Sequence, residues 1–177
     1  MSGEIEGIDA DELRALVLER NVRNFFKREA DLLDERKLDA WFELIDDDIR
    51  YQMSRRLMKE YEPSEFDEEG YFFNEDYGSL KARVERFDSS YAWAERPPAR
   101  TRRYVTNVAL EDWTDEDVSV TSNVLLYYSQ GDTTDYSLLS IRREDTLKRT
   151  EDGFSITDRT ILPDHNTLGI SKISTFL

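Results

Sequence analysis

Few side chains in these 177 residues do acid–base chemistry at neutral pH: there is one His, His165, and no Cys. His165 stands in Leu162-Pro163-Asp164-His165-Asn166, where Asp164 or Asn166 would orient an imidazole acting as a general base. Adjacent side chains on an extended chain point to opposite faces, so the segment is poorly built for a dyad of its own. A surface or interface place suits His165 better. Tyr51, Tyr104, Tyr127, Tyr128 and Tyr136 all fall in strand-like stretches. An inward Tyr, or an Asp in a pocket, runs proton transfer without any His; otherwise each Tyr packs with its hydroxyl satisfied at the rim. Carboxylates gather at Asp46 to Asp48, at Glu68 with Glu69, and at Asp115 to Asp117. A calcium loop needs oxygen ligands at alternating positions and a Gly for its sharp turn. None of these runs has that spacing, and they read as solvated acidic surface.

Basic residues concentrate in one place, Arg96-Pro97-Pro98-Ala99-Arg100-Thr101-Arg102-Arg103. A nucleic-acid patch needs a positive surround, and this one has the opposite. Guanidinium forks bind carboxylates bidentately and are favoured in interfaces. Two uses stay open for Arg100, Arg102 and Arg103: recognition of an acidic partner surface, or pairing with carboxylates of the same chain. Tyr91 and Trp93 beside the prolines fit either a docking surface or packing over a sheet.

The elements that carry these groups follow from periodicity. Residues 1–8 read as a loose tail, and 9–177 as one domain. Asp9 with Glu12 three residues on signals a helix start. Leu13, Leu16, Val17, Phe25, Phe26, Leu32 and Leu33 then recur at helical spacing, giving one amphipathic helix to about Leu33. A second short helix carries Leu38, Trp41, Phe42, Leu44 and Ile45 and ends in the acidic run at Asp46. The period then becomes two, with Ile49, Tyr51 and Met53 alternating with Arg50, Gln52 and Ser54, as a half-buried strand requires. Tyr61 to Gly70 reads as an exposed acidic loop, and Tyr77, Leu80, Val84 and Phe87 suit a third helix. Beyond Pro97 and Pro98 everything reads as strand. Tyr104, Thr106, Val108 and Leu110 alternate with Val105, Asn107 and Ala109. Strands follow at Val118 to Ser129, Tyr136 to Arg149 and Phe154 to Leu162, with turns at Gln130 to Thr134 and Glu151-Asp152-Gly153. Helices first and a meander after them predict an α+β domain whose helices cover one face of a curved sheet.

Composition removes whole classes of function. Lys plus Arg number 24 against 39 Asp plus Glu, for a formal charge of −15. That field repels phosphate backbones and anionic lipids, so neither nucleic acid nor a membrane is expected as a partner. No run approaches the roughly 18 apolar residues of a membrane span, and the acidic start lacks the look of a secretory signal. A cytoplasmic location is the expectation. With no Cys and one His, the chain by itself cannot ligate a Rieske cluster, a structural zinc or a facial-triad iron. The same count removes Cys nucleophiles, disulfides and CxxC redox motifs. The 18 Arg against 6 Lys suit a high-salt cytoplasm or GC-rich codon usage equally.

Five strings in this order resemble the small (β) subunit of aromatic-ring-hydroxylating dioxygenases: Arg28 to Met53 (READLLDERKLDAWFELIDDDIRYQM), Ser90 to Val108 (SYAWAERPPARTRRYVTNV), Thr121 to Tyr128 (TSNVLLYY), Ile141 to Arg149 (IRREDTLKR) and Ile173 to Leu177 (ISTFL). The resemblance implies a cone-shaped fold like that of scytalone dehydratase and ketosteroid isomerase, with a strongly curved, mainly antiparallel mixed sheet and helices in its concavity. It implies a hexamer of three large and three small subunits, in which this chain also meets other copies of itself. The large subunit would carry the Rieske 2Fe-2S cluster, the mononuclear iron and the substrate pocket. Electrons from a reductase, usually through a ferredoxin, would reach that subunit, where both atoms of O2 enter an aromatic ring as a cis-dihydrodiol. This chain would be the non-catalytic structural member, with no catalytic, metal or cofactor residues of its own. Trp93, Arg96, Arg100, Arg102 and Arg103 are the residues expected near subunit contacts. The extra acidic residues between Glu60 and Asp76, and around Asp112 to Asp117, depart from the family pattern in charge and leave the matching strings intact. An independent cone-fold dehydratase or isomerase, using a pocket Tyr, Asp or His165, is the competing reading. A stand-alone binding module of the same fold is the third.

Overall fold

The computed structural model describes residues 9–56, 66–88, 97–132, 134–166 and 175–177. The tail at 1–8, and Tyr91, Trp93 and Arg96, lie outside them. Helix α1 (Ala10–Asp34) starts where Asp9 accepts hydrogen bonds from the Asp11 and Glu12 amides at 2.9 and 2.8 Å, which satisfies amides that the helix leaves unpaired. It stops where Arg36 adopts φ 58° and the Arg36 and Lys37 amides bond back to Leu33 and Leu32. Helices α2 (Leu38–Phe42) and α3 (Tyr77–Asp88) complete the helical layer. At the start of α3, Asp76 and Ser79 exchange hydrogen bonds, amide to side chain in both directions.

Six strands, β1 (Ile45–Arg56), β2 (Phe66–Glu75), β3 (Arg100–Trp113), β4 (Asp117–Ser129), β5 (Ser137–Thr150) and β6 (Gly153–Pro163), form one sheet in the order β2-β1-β6-β5-β4-β3. All neighbours are antiparallel except β1 and β6, which run parallel with Tyr51 opposite Arg159 and Met53 opposite Ile161. The helices cover one face: α1 lies mainly along β3, and α3 along β1. Under them sit Tyr51 and Met53 of β1, Ile156 and Ile161 of β6, Leu139, Ile141 and Leu147 of β5, and Val118, Val120, Val124 and Leu126 of β4. This is the expected α+β architecture with a mixed sheet. No helix among the described residues is long and apolar enough to cross a membrane.

Several expected boundaries shift, each for a local reason. The second helix ends at Phe42, and Ile45 already belongs to β1, because the Leu44 carbonyl accepts the Ile156 amide at 2.8 Å and draws the chain into the sheet. The acidic run Asp46 to Asp48 is therefore strand. Residues 66–70, expected in a loop, are strand as well, since β2 pairs along the free edge of β1, with Phe66 opposite Arg56 and, farther on, Phe73 opposite Met53 and stacked on Tyr51 at 5.5 Å. Tyr136 precedes β5 instead of lying in it. At the start of α1, Leu13, Leu16 and Val17 are about half exposed, with Leu16 and Trp113 lining an open groove between α1 and β3.

The alternation expected in β3 is interrupted at two places, between Thr106 and Ala109 and between Leu110 and Asp112, and the first changes the strand's phase. Asn107 takes φ 51° and the pairing with β4 slips between Thr106 and Ala109, so the strand changes phase there. Tyr104 and Thr106 consequently face outward while Val108 faces the core. A bulge of this kind needs a residue that tolerates positive φ, and Asn does so better than most. Asn107→Val is expected to lower stability by about 1–2 kcal/mol and Asn107→Gly by much less, read as shifts of the urea unfolding midpoint.

Candidate functional site

The inward positions of three elements deliver charge where apolar side chains are the rule. On α1 the buried stripe Leu18, Val22, Phe25, Glu29 and Leu33 steps by three or four, so Glu29 is presented to the sheet with its apolar neighbours. On β5, Arg143 and Asp145 occupy the same parity as Ile141 and Leu147. Arg159 of β6 lies opposite Asp145 across the ladder. All four side chains are buried. Arg159 grips Glu29 with both terminal nitrogens, at 2.5 and 3.1 Å, and donates its Nε to Asp145 at 2.5 Å. Arg143 donates to Glu29 Oε2, the oxygen that Arg159 Nη2 also reaches, at 3.2 Å and to Ser122 at 3.3 Å, and its guanidinium lies 4.8 Å from the Phe26 ring. Trp41 Nε1 adds a bond to Glu29 at 3.1 Å. Two carboxylates and two guanidinia leave the cluster with no net charge.

Next to it the chain's closing residues enter the interior. Tyr51 donates its hydroxyl to the Leu177 oxygen and accepts the Leu177 amide, both at 2.8 Å, and Arg159 donates to the same oxygen at 2.8 Å. Arg103 pairs with Asp34 and donates to the Phe176 carbonyl at 2.6 Å. Arg83 pairs with Glu75 at 2.5 Å and reaches the Thr175 carbonyl at 3.2 Å.

These surroundings fix the protonation states. Burial would raise the Glu29 pKa, but the charges of Arg159 and Arg143, with the hydrogen bonds from Arg159 and Trp41, hold it at about 2. Burial would lower the Arg159 pKa, but Asp145 and Glu29 raise it well above its ordinary value. Burial pushes Tyr51 up and Arg103 down, the latter opposed by Asp34. Glu29 thus has no proton to give near neutrality, and the Tyr51 hydroxyl is committed to Leu177. The arrangement joins elements from across the chain.

The residues singled out from sequence are scattered. His165 is exposed just beyond β6, while its neighbour Asp164 accepts from Ser140 at 2.5 Å. Tyr104 and Tyr127 lie on the sheet's other face, with Tyr127 stacked on Tyr136 at 5.6 Å; Tyr51 and Tyr128 face inward. Arg103, expected near subunit contacts, turns inward instead, because β3 parity places it over Asp34. Arg100 and Arg102 point outward, with Arg100 near Asp132 at 3.9 Å. Asp46 is tied to Ser155 at 3.0 Å and Lys148 at 3.4 Å. Among the described residues no group of three or more His, Cys, Asp or Glu is placed to hold a metal ion. The cluster itself was not read from sequence. Its signal is a charge at a core-facing phase: Glu29 in the α1 stripe, and Arg143 and Asp145 between Ile141 and Leu147.

Glu29→Gln leaves two buried guanidinia under-compensated, and a loss of about 3–5 kcal/mol at pH 7 is expected. With a folded pKa of about 2 against an ordinary 4.5, the carboxylate's contribution is complete above about pH 4.5. It fades as pH falls toward 2 and amounts to about 3 kcal/mol. The gap between the native chain and Glu29→Gln should therefore narrow between pH 5 and 2 in denaturant titrations, and a constant gap would contradict the assignment.

Residues 28–169 match the family model described as "Ring hydroxylating beta subunit". The chain is 32% identical over 165 residues to the chlorobenzene dioxygenase subunit beta of Cupriavidus sp. (strain PS12), covering 90% of this chain and 88% of that protein. It is 30% identical, with the same coverage, to the biphenyl 2,3-dioxygenase subunit beta of Rhodococcus jostii (strain RHA1). Its fold is similar to a chain of a naphthalene 1,2-dioxygenase structure with indole bound in the active site, at TM-score 0.78 and 24% identity over 96% of this chain and 95% of that one. The fold also resembles a scytalone dehydratase candidate from Novosphingobium aromaticivorans, at TM-score 0.63 and 14% identity over 89% and 91%. With four fifths of its length inside the family model, this chain belongs to the ring-hydroxylating dioxygenase beta subunits.

Proposed function

We propose that the chain is a non-catalytic structural subunit, holding in register a large subunit that dihydroxylates an aromatic substrate. The observation that carries this reading is the occupied interior. Between helices and sheet the neutralised Glu29–Arg143–Asp145–Arg159 cluster, Phe176 and Leu177 are buried, and the Tyr51 hydroxyl is already engaged by Leu177. That arrangement weighs against an independent dehydratase or isomerase, and the exposed His165 lies away from it.

The oxygen-activating groups of such a complex do not fit this chain. A Rieske cluster takes two Cys and two His, and a facial-triad iron two His and a carboxylate, whereas this sequence has one His and no Cys. The cluster and the iron belong, in this reading, to the large subunit. Three large and three small subunits in the cytoplasm complete it.

The face of the sheet that no described helix covers supports an assembly role. Tyr104, Leu125, Tyr136 and Leu138 are 55, 39, 61 and 47% exposed. Cross-strand pairing sets Tyr104 beside Leu125 and Tyr127 between Arg102 and Leu138, so the apolar side chains and Arg102 form one strip. Exposed apolar strips flanked by Arg are common at interface centres. Arg100 and Arg102 are retained as interface residues, together with Trp93 and Arg96.

Co-expression with its cognate large subunit should yield a complex of hexamer size by light scattering. Arg102→Glu combined with Leu125→Glu should weaken that complex at least tenfold while leaving the isolated chain's unfolding midpoint nearly unchanged; undiminished assembly would remove this face from the interface. The isolated chain should contain no stoichiometric iron and turn over no substrate, checked by metal analysis and product chromatography after aerobic incubation with a reductant.

A further inference from the structure

Main-chain carbonyls in a folded interior are ordinarily satisfied by a helix or a ladder. The oxygens of Thr175, Phe176 and Leu177 are satisfied instead by side chains from four separate elements: Arg83 of α3, Arg103 of β3, Arg159 of β6 and Tyr51 of β1. The Phe176 ring sits 4.5 Å from Trp41, 5.6 Å from Phe87 and 4.4 Å beneath the Arg83 guanidinium. Both Phe176 and Leu177 are 2% exposed.

Each arginine in this enclosure has a carboxylate of its own: Glu75 for Arg83, Asp34 for Arg103, Glu29 and Asp145 for Arg159. The guanidinia are therefore positioned and neutralised by groups other than the segment they hold. Residues 175–177 contribute an aromatic ring, an aliphatic side chain and a row of oxygen acceptors, as a bound ligand would. Preorganised donors around an aromatic cage are what a small-molecule site consists of.

We infer that the concave interior is a binding site for an aryl group carrying a carbonyl or carboxylate, occupied in cis by Thr175-Phe176-Leu177. When that segment is withdrawn, the site accepts arylalkyl carboxylates or short Phe-containing peptides in trans. 3-Phenylpropionate reproduces the ring, two carbons and carboxyl carbon of Phe176 itself. Its ring takes the place between Trp41, Phe87 and Arg83; one oxygen meets Arg103, and the other, standing where the Leu177 amide does, meets the Tyr51 hydroxyl. Recognition runs through the ring face and the acceptor oxygens, so an amine in place of the carboxylate is excluded by the arginines.

The site is tested on the isolated chain, without a large subunit, so the outcome is independent of the assembly reading. In full-length Phe176→Ala, toluene should raise the thermal midpoint by about 5 °C or more at saturation, an effect absent from the native chain. In a chain lacking residues 175–177, 3-phenylpropionate and acetyl-Thr-Phe-Leu should each raise the midpoint saturably, or restore native circular dichroism if the shortened chain is unfolded. Propionate and 3-phenylpropylamine should do neither. The inference is overturned if toluene leaves Phe176→Ala unmoved and 3-phenylpropionate fails with the shortened chain. It is equally overturned if all the probes act alike, or if the native chain responds as strongly as the variants.

Discussion

Arg159 gripping Glu29 with two nitrogens while its third holds Asp145 is the constraint around which the rest of this molecule is arranged. Removing four charged side chains from water is expensive, and their attraction compensates only when the geometry is good and the remaining hydrogen-bonding capacity is used. Here Arg143, Trp41, Ser122 and the Leu177 oxygen use most of it. The bonds join α1, α2, β4, β5, β6 and the closing residues, so the helical layer is keyed to the sheet in one position. Apolar packing alone would tolerate small slides of α1 along β3; a bidentate ion pair does not.

That solution has a functional consequence. A cone-shaped fold encloses a hollow, and in this chain the hollow is spent on ion pairs and on Phe176. Outside, one face of the sheet carries no helix among the described residues. Its polar half, around Arg50 with Asp158 and Arg142 with Glu144, is laced with ion pairs. Its other half, from Tyr104 to Leu138, is apolar and aromatic. A protein with an acidic surface of this magnitude stays soluble through charge repulsion, so the apolar strip is conspicuous as the place where that repulsion is relaxed.

Local chemistry made much of the fold legible. The Asp9 cap, the helical spacing of Phe25, Phe26 and Leu33, the alternation at Ile49 to Met53 and the Gly153 turn, which takes φ 134°, each act over a few residues. The lapses occurred where a distant partner overrode a local pattern. β2 exists because β1 offered an unpaired edge, and α2 stops early because Ile156 claims the Leu44 carbonyl. In β3 a single positive φ at Asn107 reversed which side of the strand meets the core, and neighbouring residues do not announce such a slip.

The sequence by itself determined which chemistry is absent and which family the chain resembles. Its lack of Cys and its single His exclude the iron ligands whatever the fold, because donor atoms are a matter of composition. It also set the order of the three helices and of every strand except β2, since periodicity is a property of adjacent residues. Only the tertiary structure decided which charges are structural. Glu29 meets Arg143 and Arg159 across 114 and 130 residues, and Arg103 meets Asp34 across 69. Until the chain folds, Arg102 and Arg103 are equivalent neighbours; strand parity sends one to solvent and the other to a buried carboxylate. A charge is tolerated in a core only beside its partner, and that proximity is created by folding.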